Sequence, residues 1–185
     1  ILIINDAKNL GQNNNEIEIE KGTLQTSADM IDGNALKNKI TTTGSSGGSI
    51  NTAGHNVDLA GQITGNGRLV KTGGGTLTLN NTSNNYNIGV TKDADDKTVA
   101  IIGNTLINGG VLAISDDMQL GKQPEDIGKQ IADQSDQHKW KLGNVQIDGG
   151  TLKTESGVNS DRYIVVGNAG ATVDVTGAAN TTRLS

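Results

Sequence analysis

Short runs of alternating apolar and polar residues recur along the chain, and most of them end at glycine. Residues 17–26, 107–114 and 145–154 each contain an alternating segment, a glycine turn and a Thr-Leu or Val-Leu pair, and residues 73–80 form a looser copy. Because successive side chains of a strand point to opposite faces, this alternation predicts half-buried β-strands. Similar runs predict further strands at residues 49–52, 57–60, 68–71, 98–102, 164–166 and 172–175. We therefore expect an all-β protein.

The spacing of the copies favours stacked units. The equivalent glycine recurs at Gly22, Gly75, Gly110 and Gly150, with 35 residues between the second and third and 40 between the third and fourth. Periods of this length indicate supersecondary units that stack with loops of variable length. In a parallel β-helix, or β-solenoid, equivalent residues form columns. One inward column is expected to contain Leu24, Leu77, Leu112 and Leu152.

An antiparallel sandwich is the alternative that the pattern leaves open. Asn66-Gly67, Asn108-Gly109 and Asp148-Gly149 are pairs that suit two-residue hairpin turns. The solenoid is preferred because the strand–glycine–strand units recur with their hydrophobic phase intact.

Two polar segments interrupt the pattern. Residues 91–97 are strongly charged and are expected to form a solvated loop. Residues 121–142 are expected to loop out of one coil as an insertion, and they hold the single proline and the single tryptophan. Pro124 suits the first turn of a short helix, in which Ile127 and Ile131 would lie on one face.

Composition and charge limit the classes of function and partner that are expected. The chain has 185 residues, with 26 Gly and no Phe or Cys, so a stacked aliphatic interior is expected without disulfides. The formal net charge is −5 and no run of Lys or Arg occurs, which disfavours nucleic acid as a partner. No apolar run approaches the ~20 residues of a spanning helix, so membrane insertion is not expected.

Catalytic and metal-binding motifs are incomplete. Lys71-Thr72-Gly73 matches part of a penicillin-binding-protein pattern, but no Ser-x-x-Lys accompanies it. Asp116 and Asp117 are candidates for a carboxylate site, although adjacent residues of a regular strand would point to opposite faces. We therefore predict no enzyme activity and no cofactor.

The candidates for a binding surface lie in the two interruptions. Aromatic, imidazole and carboxylate side chains there are available for contact with a ligand. These candidates are Trp140, His138, Asp93, Asp95 and Asp96. For Trp140 the alternative is packing of the insertion against the strands.

A dense pattern of glycine and leucine covers residues 57–120. It reads Gly-x-Gly-x-Leu-x-Lys-x-Gly-x-Gly-Thr-Leu-x-Leu at Gly65, Gly67, Leu69, Lys71, Gly73, Gly75, Thr76, Leu77 and Leu79. It continues, with a shift of one residue, at Tyr86, Gly89 and Thr91, and later at Gly110 and Leu112. The pattern resembles the passenger-associated transport repeat of autotransporters, with Val111 in place of a threonine.

The resemblance implies one fragment of a right-handed parallel β-helix, residues 1–185, with loop insertions. With the ~20–25 residues per coil typical of that family, about seven to nine coils are expected. Such passengers reach the Gram-negative cell surface through their own C-terminal translocator barrel. The expected role is a structural stalk that supports secretion and display of an effector module. The alternatives are an adhesin segment that binds a host surface molecule or an identical rod, and an enzyme acting on polysaccharide.

Overall fold

A computed structural model of the protein describes residues 1–87, 91–92, 98–100, 104–122, 145–162, 164–175 and 183–184. Within these ranges most regular structure is β-strand in parallel sheets, which confirms the all-β prediction. The described pairs are parallel with one exception, the antiparallel pair of Thr91–Lys92 (β10) and Thr98–Ala100 (β11). In the same ranges, the helical segments are the short 3₁₀ turns Ala7–Leu10, Asp32–Asn34 and Asp117–Leu120.

Three parallel sheets contain most of the described strands. Sheet 1 has seven strands, in spatial order Leu2–Ile4 (β1), Thr23–Thr26 (β3), Gly48–Asn51 (β5), Leu69–Thr72 (β8), Thr105–Asn108 (β12), Val145–Ile147 (β14) and Ile164–Val166 (β17). Sheet 2 has five, in order Thr172–Asp174 (β18), Thr151–Thr154 (β15), Val111–Ile114 (β13), Thr76–Leu79 (β9) and Val57–Leu59 (β6). Sheet 3 has three, Glu16–Glu20 (β2), Lys39–Thr43 (β4) and Ile63–Thr64 (β7). A further parallel pair joins Asn159–Ser160 (β16) to Arg183–Leu184 (β19).

The chain visits the three sheets in a repeating order. β4 in sheet 3, β5 in sheet 1 and β6 in sheet 2 follow one another, and β7, β8 and β9 repeat that order. We call one such passage a circuit. Each strand of the three sheets pairs with a strand at the same place in a neighbouring circuit, and hydrogen-bonded strands lie about 4.8 Å apart. Neighbouring circuits are therefore in backbone contact.

The pairing register shows where two circuits contain extra residues. Partners in the shorter circuits of sheet 1 are 19 to 26 residues apart. The separation is 36 residues between Leu69 and Thr105, and 40 residues between Thr105 and Val145. The first long circuit includes residues 88–103, which we call the first insert, and the second includes residues 123–144, the second insert.

The predicted leucine column is confirmed for three of its four members. Leu112 pairs with Leu77 on one side and with Leu152 on the other, and all three are buried in sheet 2. The prediction is wrong for Leu24, which lies in sheet 1 opposite Ile50. The glycine before Leu24 turns the chain from sheet 3 into sheet 1, whereas the other three glycines turn it from sheet 1 into sheet 2. Similar glycine–leucine sequences therefore form two different corners.

The pairs that suit hairpin turns link different sheets instead. Asn108-Gly109 connects β12 in sheet 1 to β13 in sheet 2, and Asp148-Gly149 connects β14 to β15 in the same way. Asn66-Gly67 leads from β7 in sheet 3 to β8 in sheet 1. Because strands joined by a hairpin would pair with each other, these turns give no support to the sandwich.

The interior is aliphatic and is covered from both sides. Ile50, Ile107 and Ile147 are completely buried in sheet 1. Removing one such side chain from water stabilises the fold by about 1.5–3 kcal/mol. Leu2 pairs with the buried Leu24 but is 53% exposed, because it lies in the outermost strand of the sheet. Ile4, in the same outermost strand, is buried, so a single flanking strand covers this end of the interior only in part.

We expect Leu77→Asp to abolish cooperative folding, because the new carboxylate would be buried between Val57 and Leu112 without a partner. The matched control is Thr76→Asp, at a half-buried neighbour of the same strand. The free energy of unfolding in urea should fall by about 4 kcal/mol or more for the first variant and by about 1 kcal/mol or less for the second. Equal losses would contradict the inward assignment of Leu77.

Candidate functional site

The residues of the glycine–leucine pattern fall into two structural groups. The first group is buried within the strands, and it consists of Leu69, Lys71, Leu77, Leu79 and Leu112, joined by Tyr86 outside them. The second group lies at the corners between sheets, and it consists of Gly65, Gly67, Gly73, Gly75 and Gly110. Thr76 is half-buried on β9. The described part of the pattern therefore consists mainly of interior and corner positions, while Thr91 lies in β10.

Two corner positions admit glycine alone because neighbouring circuits touch there. Gly75 has a φ of +77°, and a Cβ on it would collide with the carbonyl oxygen of His55 in the preceding circuit. Gly110 has a φ of +64°, and a Cβ on it would collide with the carbonyl oxygen of Gly73 and lie 2.6 Å from Nζ of Lys71. Both the left-handed backbone and the close approach favour glycine at these corners.

Lys71 is an inward-facing cation in the aliphatic interior. It lies in β8 between Ile50 and Ile107 and is completely buried. Its Nζ donates to the carbonyl oxygens of Thr72 at 3.0 Å, Gly73 at 2.7 Å and Gly109 at 3.1 Å. An ammonium group has three donors, so these carbonyls satisfy all of them. The bond to Gly109 joins two circuits.

The environment of Lys71 acts on its charge in two opposite ways. Burial lowers the pKa of the Lys71 amine to about 8, because desolvation disfavours the charged form. The three carbonyl oxygens favour the charged form, because hydrogen bonds to an ionised group stabilise it. The amine is therefore a buried group that titrates well below the range of an ordinary lysine.

Tyr86 lies just before the first insert. Its hydroxyl is 2.7 Å from Oγ1 of Thr105, the first residue of β12, so it links the residues on either side of the insert. Burial raises the pKa of Tyr86 to about 12, with the hydrogen bond to Thr105 acting in the opposite direction. The backbone amide of Lys122 donates to the carbonyl oxygen of Tyr86, which stacks the start of the second insert on it.

Asp117 and Arg162 form a buried ion pair beside the second insert. Nε of Arg162 lies 2.9 Å from Oδ1 of Asp117, which also accepts a hydrogen bond of 2.6 Å from the hydroxyl of Ser160. The guanidinium group additionally donates to the backbone carbonyls of Gly121 and Lys122 at 2.9 and 3.0 Å. Asp117 was a candidate for a catalytic groove, but its carboxylate is engaged with this guanidinium.

The residues that precede the two inserts are stacked on one another. The amides of Asn85 and Asn87 donate to the carbonyls of Ile63 and Gly65, on the sheet 3 side of the preceding circuit. The amide of Lys122 donates to the carbonyl of Tyr86, so the segments that lead into the two inserts occupy equivalent places in successive circuits. In sequence, the first insert connects this place to β12 and the second connects it to β14.

The predicted binding residues all lie outside the described residues. This applies to Trp140, His138, Asp93, Asp95 and Asp96, and to the predicted short helix with Ile127 and Ile131. The expectation of a loop at residues 91–97 is wrong at its start, because Thr91–Lys92 forms a strand paired with Thr98–Ala100. Apart from Gly121 and Lys122, the predicted insertion at 121–142 lies outside the described residues, and the amide of Lys122 donates to the carbonyl of Tyr86 in the neighbouring circuit.

Sequence reasoning missed Arg162 and the role of Asp117. A usable signal was the motif Leu-x-Ile-(Asn/Ser)-Asp-x-x-(Asn/Gln)-Leu-Gly, which occurs at residues 2–11 and 112–121. Its aspartates, Asp6 and Asp116, both cap a 3₁₀ helix in a capping box. The motif would have indicated that Asp116 caps a helix. It does not indicate Arg162, which is 45 residues from its partner.

Comparison of the chain with models of known families, with curated proteins and with solved structures found no match. In the described ranges, no group of three His, Asp or Glu side chains is placed to hold a metal ion. No helix in those ranges has the length and apolar character needed to span a bilayer.

The free energy of unfolding should rise by about 2 kcal/mol between about pH 7.5 and about pH 9.5 because of Lys71. Well below pH 8 the amine is charged in the folded and unfolded states, so the burial cost is present in full. At higher pH the folded state releases its proton first, and this cost disappears as the pH approaches the ordinary value of 10.5. Urea titrations at several pH values should show the rise in the native chain and lose it in Lys71→Met; equal slopes would contradict the assignment.

Arg162→Leu should lower the free energy of unfolding by about 3–5 kcal/mol, because Asp117 would remain buried without its cation. The free energy of unfolding should fall less in the double variant Asp117→Leu/Arg162→Leu than in Arg162→Leu, since no unpaired charge remains. Lys153→Leu, which removes the partly exposed pair with Glu155, is the control and should cost about 1 kcal/mol or less. A double variant less stable than Arg162→Leu would argue against the pair.

Proposed function

We propose that the circuits close into a right-handed parallel β-helix and that this helix is a structural stalk of an autotransporter passenger. The parallel pairing of seven strands in sheet 1 supports the helical winding, because each of those strands belongs to a different passage of the chain. Seven passages at one strand spacing each would extend about 35 Å.

The main support for the proposal is that residues of the glycine–leucine pattern form contacts between neighbouring circuits. Leu77 and Leu112 pair with each other inside sheet 2, and Gly75 and Gly110 allow the circuits to approach at the corner. Lys71 saturates its donors on backbone carbonyls. Residues devoted to circuit-on-circuit contact in this way suit a scaffold better than a site for chemistry.

Stacking between neighbouring circuits suggests how such a stalk would help secretion. In a stack of circuits that pair with their neighbours, folding can begin at one place and propagate along the axis. A chain that emerges from a translocator end first would therefore bury apolar surface one circuit at a time. Each completed circuit would oppose return of the chain through the pore.

The carboxylates considered for catalysis have structural partners. Asp117 is paired with Arg162, and Oδ1 of Asp116 accepts the amide of Met118 at 2.8 Å as a helix cap. Both roles fix the carboxylates in place without leaving them convergent on an open groove. We therefore keep a non-enzymatic role in the proposal.

The test is surface display of the chain between an N-terminal epitope and an autotransporter barrel in a Gram-negative host. Leu77→Asp should reduce the protease-resistant surface epitope about tenfold or more, since circuits cannot stack across a buried charge. Thr76→Asp, in the same strand, should display close to the native level.

Barrel insertion must be measured in parallel to give these results meaning. Equal barrel levels in both variants would assign the loss to the passenger. Normal display of Leu77→Asp with intact barrel would refute the proposed role in secretion.

A further inference from the structure

Two pairs of neighbouring circuits are connected by an unusually long stretch of chain. β8 and β12 are 36 residues apart in register, and β12 and β14 are 40 apart, whereas β5 and β8 are 21 apart. A short turn restricts where the next strand can pair, but a long insert does not. Some other feature must select the register of these pairs.

The aliphatic interior discriminates poorly between alternative registers. A slip of one residue would expose the inward face and is strongly disfavoured. A slip of two residues keeps the inward phase, so Thr105 and Ile107 of β12 would still face the interior beside β8. In β8 and β12 such a slip would move Ile107 from Lys71 to a position two residues away.

Buried cations occur beside both long circuits. Among the described residues, the basic side chains in the buried class are Lys71 and Arg162. Lys71 in β8 bonds the carbonyl of Gly109, which directly follows β12. Arg162, which lies between β16 and β17, bonds the carbonyls of Gly121 and Lys122 at the start of the second insert.

We propose that Lys71 and Arg162 set the register between circuits separated by the inserts, through hydrogen bonds to backbone carbonyls of the facing circuit. A two-residue slip would displace the carbonyl of Gly109 by about 6.6 Å, beyond reach of the Lys71 ammonium. The carbonyl that a slip pairing Thr72 with Leu106 would bring to this place is that of Ile107, which already accepts the amide of Asp148, so the cation would have to compete for it. The inference rests on the parallel pairing of the strands and is independent of a role in secretion.

Paired cysteines can report the register directly. Val70 lies opposite Leu106, and Thr72 lies opposite Asn108, on the half-buried to exposed outer side of sheet 1. Val70→Cys/Leu106→Cys reports the native register. Thr72→Cys/Leu106→Cys reports a two-residue slip, because in the native register their Cα atoms would be about 8 Å apart, too far for a disulfide.

The full chain would be refolded from urea and then oxidised, and the disulfide fraction of each pair measured by mass spectrometry. With native Lys71 the native pair should close and the slip pair should stay reduced. In Lys71→Met the disulfide fraction of the slip pair should be about tenfold higher, as expected for loss of one hydrogen bond to a charged group. Leu69→Met, an inward neighbour in β8, should leave the slip pair reduced.

Lys71→Arg, which retains a cation, should suppress the slip that Lys71→Met allows. Native-only disulfide formation in a folded Lys71→Met chain would overturn the proposal, as would equal slip in Leu69→Met. If Lys71→Met does not fold by circular dichroism, the same pairs are measured in Lys71→Gln, where native-only closure has the same meaning. Failure of both variants to fold, with Leu69→Met folded, would also overturn the proposal. Lys71 would then be required for folding as such and not for the choice of register.

Discussion

Parallel pairing between equivalent strands of successive circuits is the constraint on which the other features depend. It brings Leu77, Leu112 and Leu152 into contact although they are 35 and 40 residues apart in sequence. The burial of a side chain then depends on the neighbouring circuits, since Leu2 in the outermost strand is exposed although its partner Leu24 is buried. A chain without Phe obtains its stability by repeating small aliphatic contacts many times.

The same close spacing explains the polar residues of the interior. Corners approach so closely that Gly75 and Gly110 have no room for a side chain, and backbone carbonyls at such corners are directed at buried cations. The Lys71 ammonium binds three of these carbonyls, and the Arg162 guanidinium binds others beside Asp117. Buried cations here act on the backbone, which ties their position to the register of the strands.

Sequence periodicity was sufficient for the strands and insufficient for their assignment to sheets. Alternation predicted strands close to their observed bounds, for example at residues 164–166, and it missed Lys39–Thr43, where consecutive threonines hide the alternation. Leu24 was assigned to the wrong column because a Gly-Thr-Leu motif has the same local requirements at either corner. Lys71 was recognised by its place in a pattern, but its inward orientation and three carbonyl partners depend on the next circuit. Arg162 lacks any local signal, because its partners lie 40 to 45 residues away.

In sequence, each insert connects the sheet 3 side of one circuit to the sheet 1 strand of the next. The corner with Gly75 and Gly110, between sheets 1 and 2, has turns of a few residues and backbone atoms in mutual contact. In both long circuits the added sequence therefore belongs to the first of these connections. A foreign peptide grafted into this scaffold should therefore be tolerated better in the long connections than at the glycine corner, where a side chain would collide with the backbone of the preceding circuit.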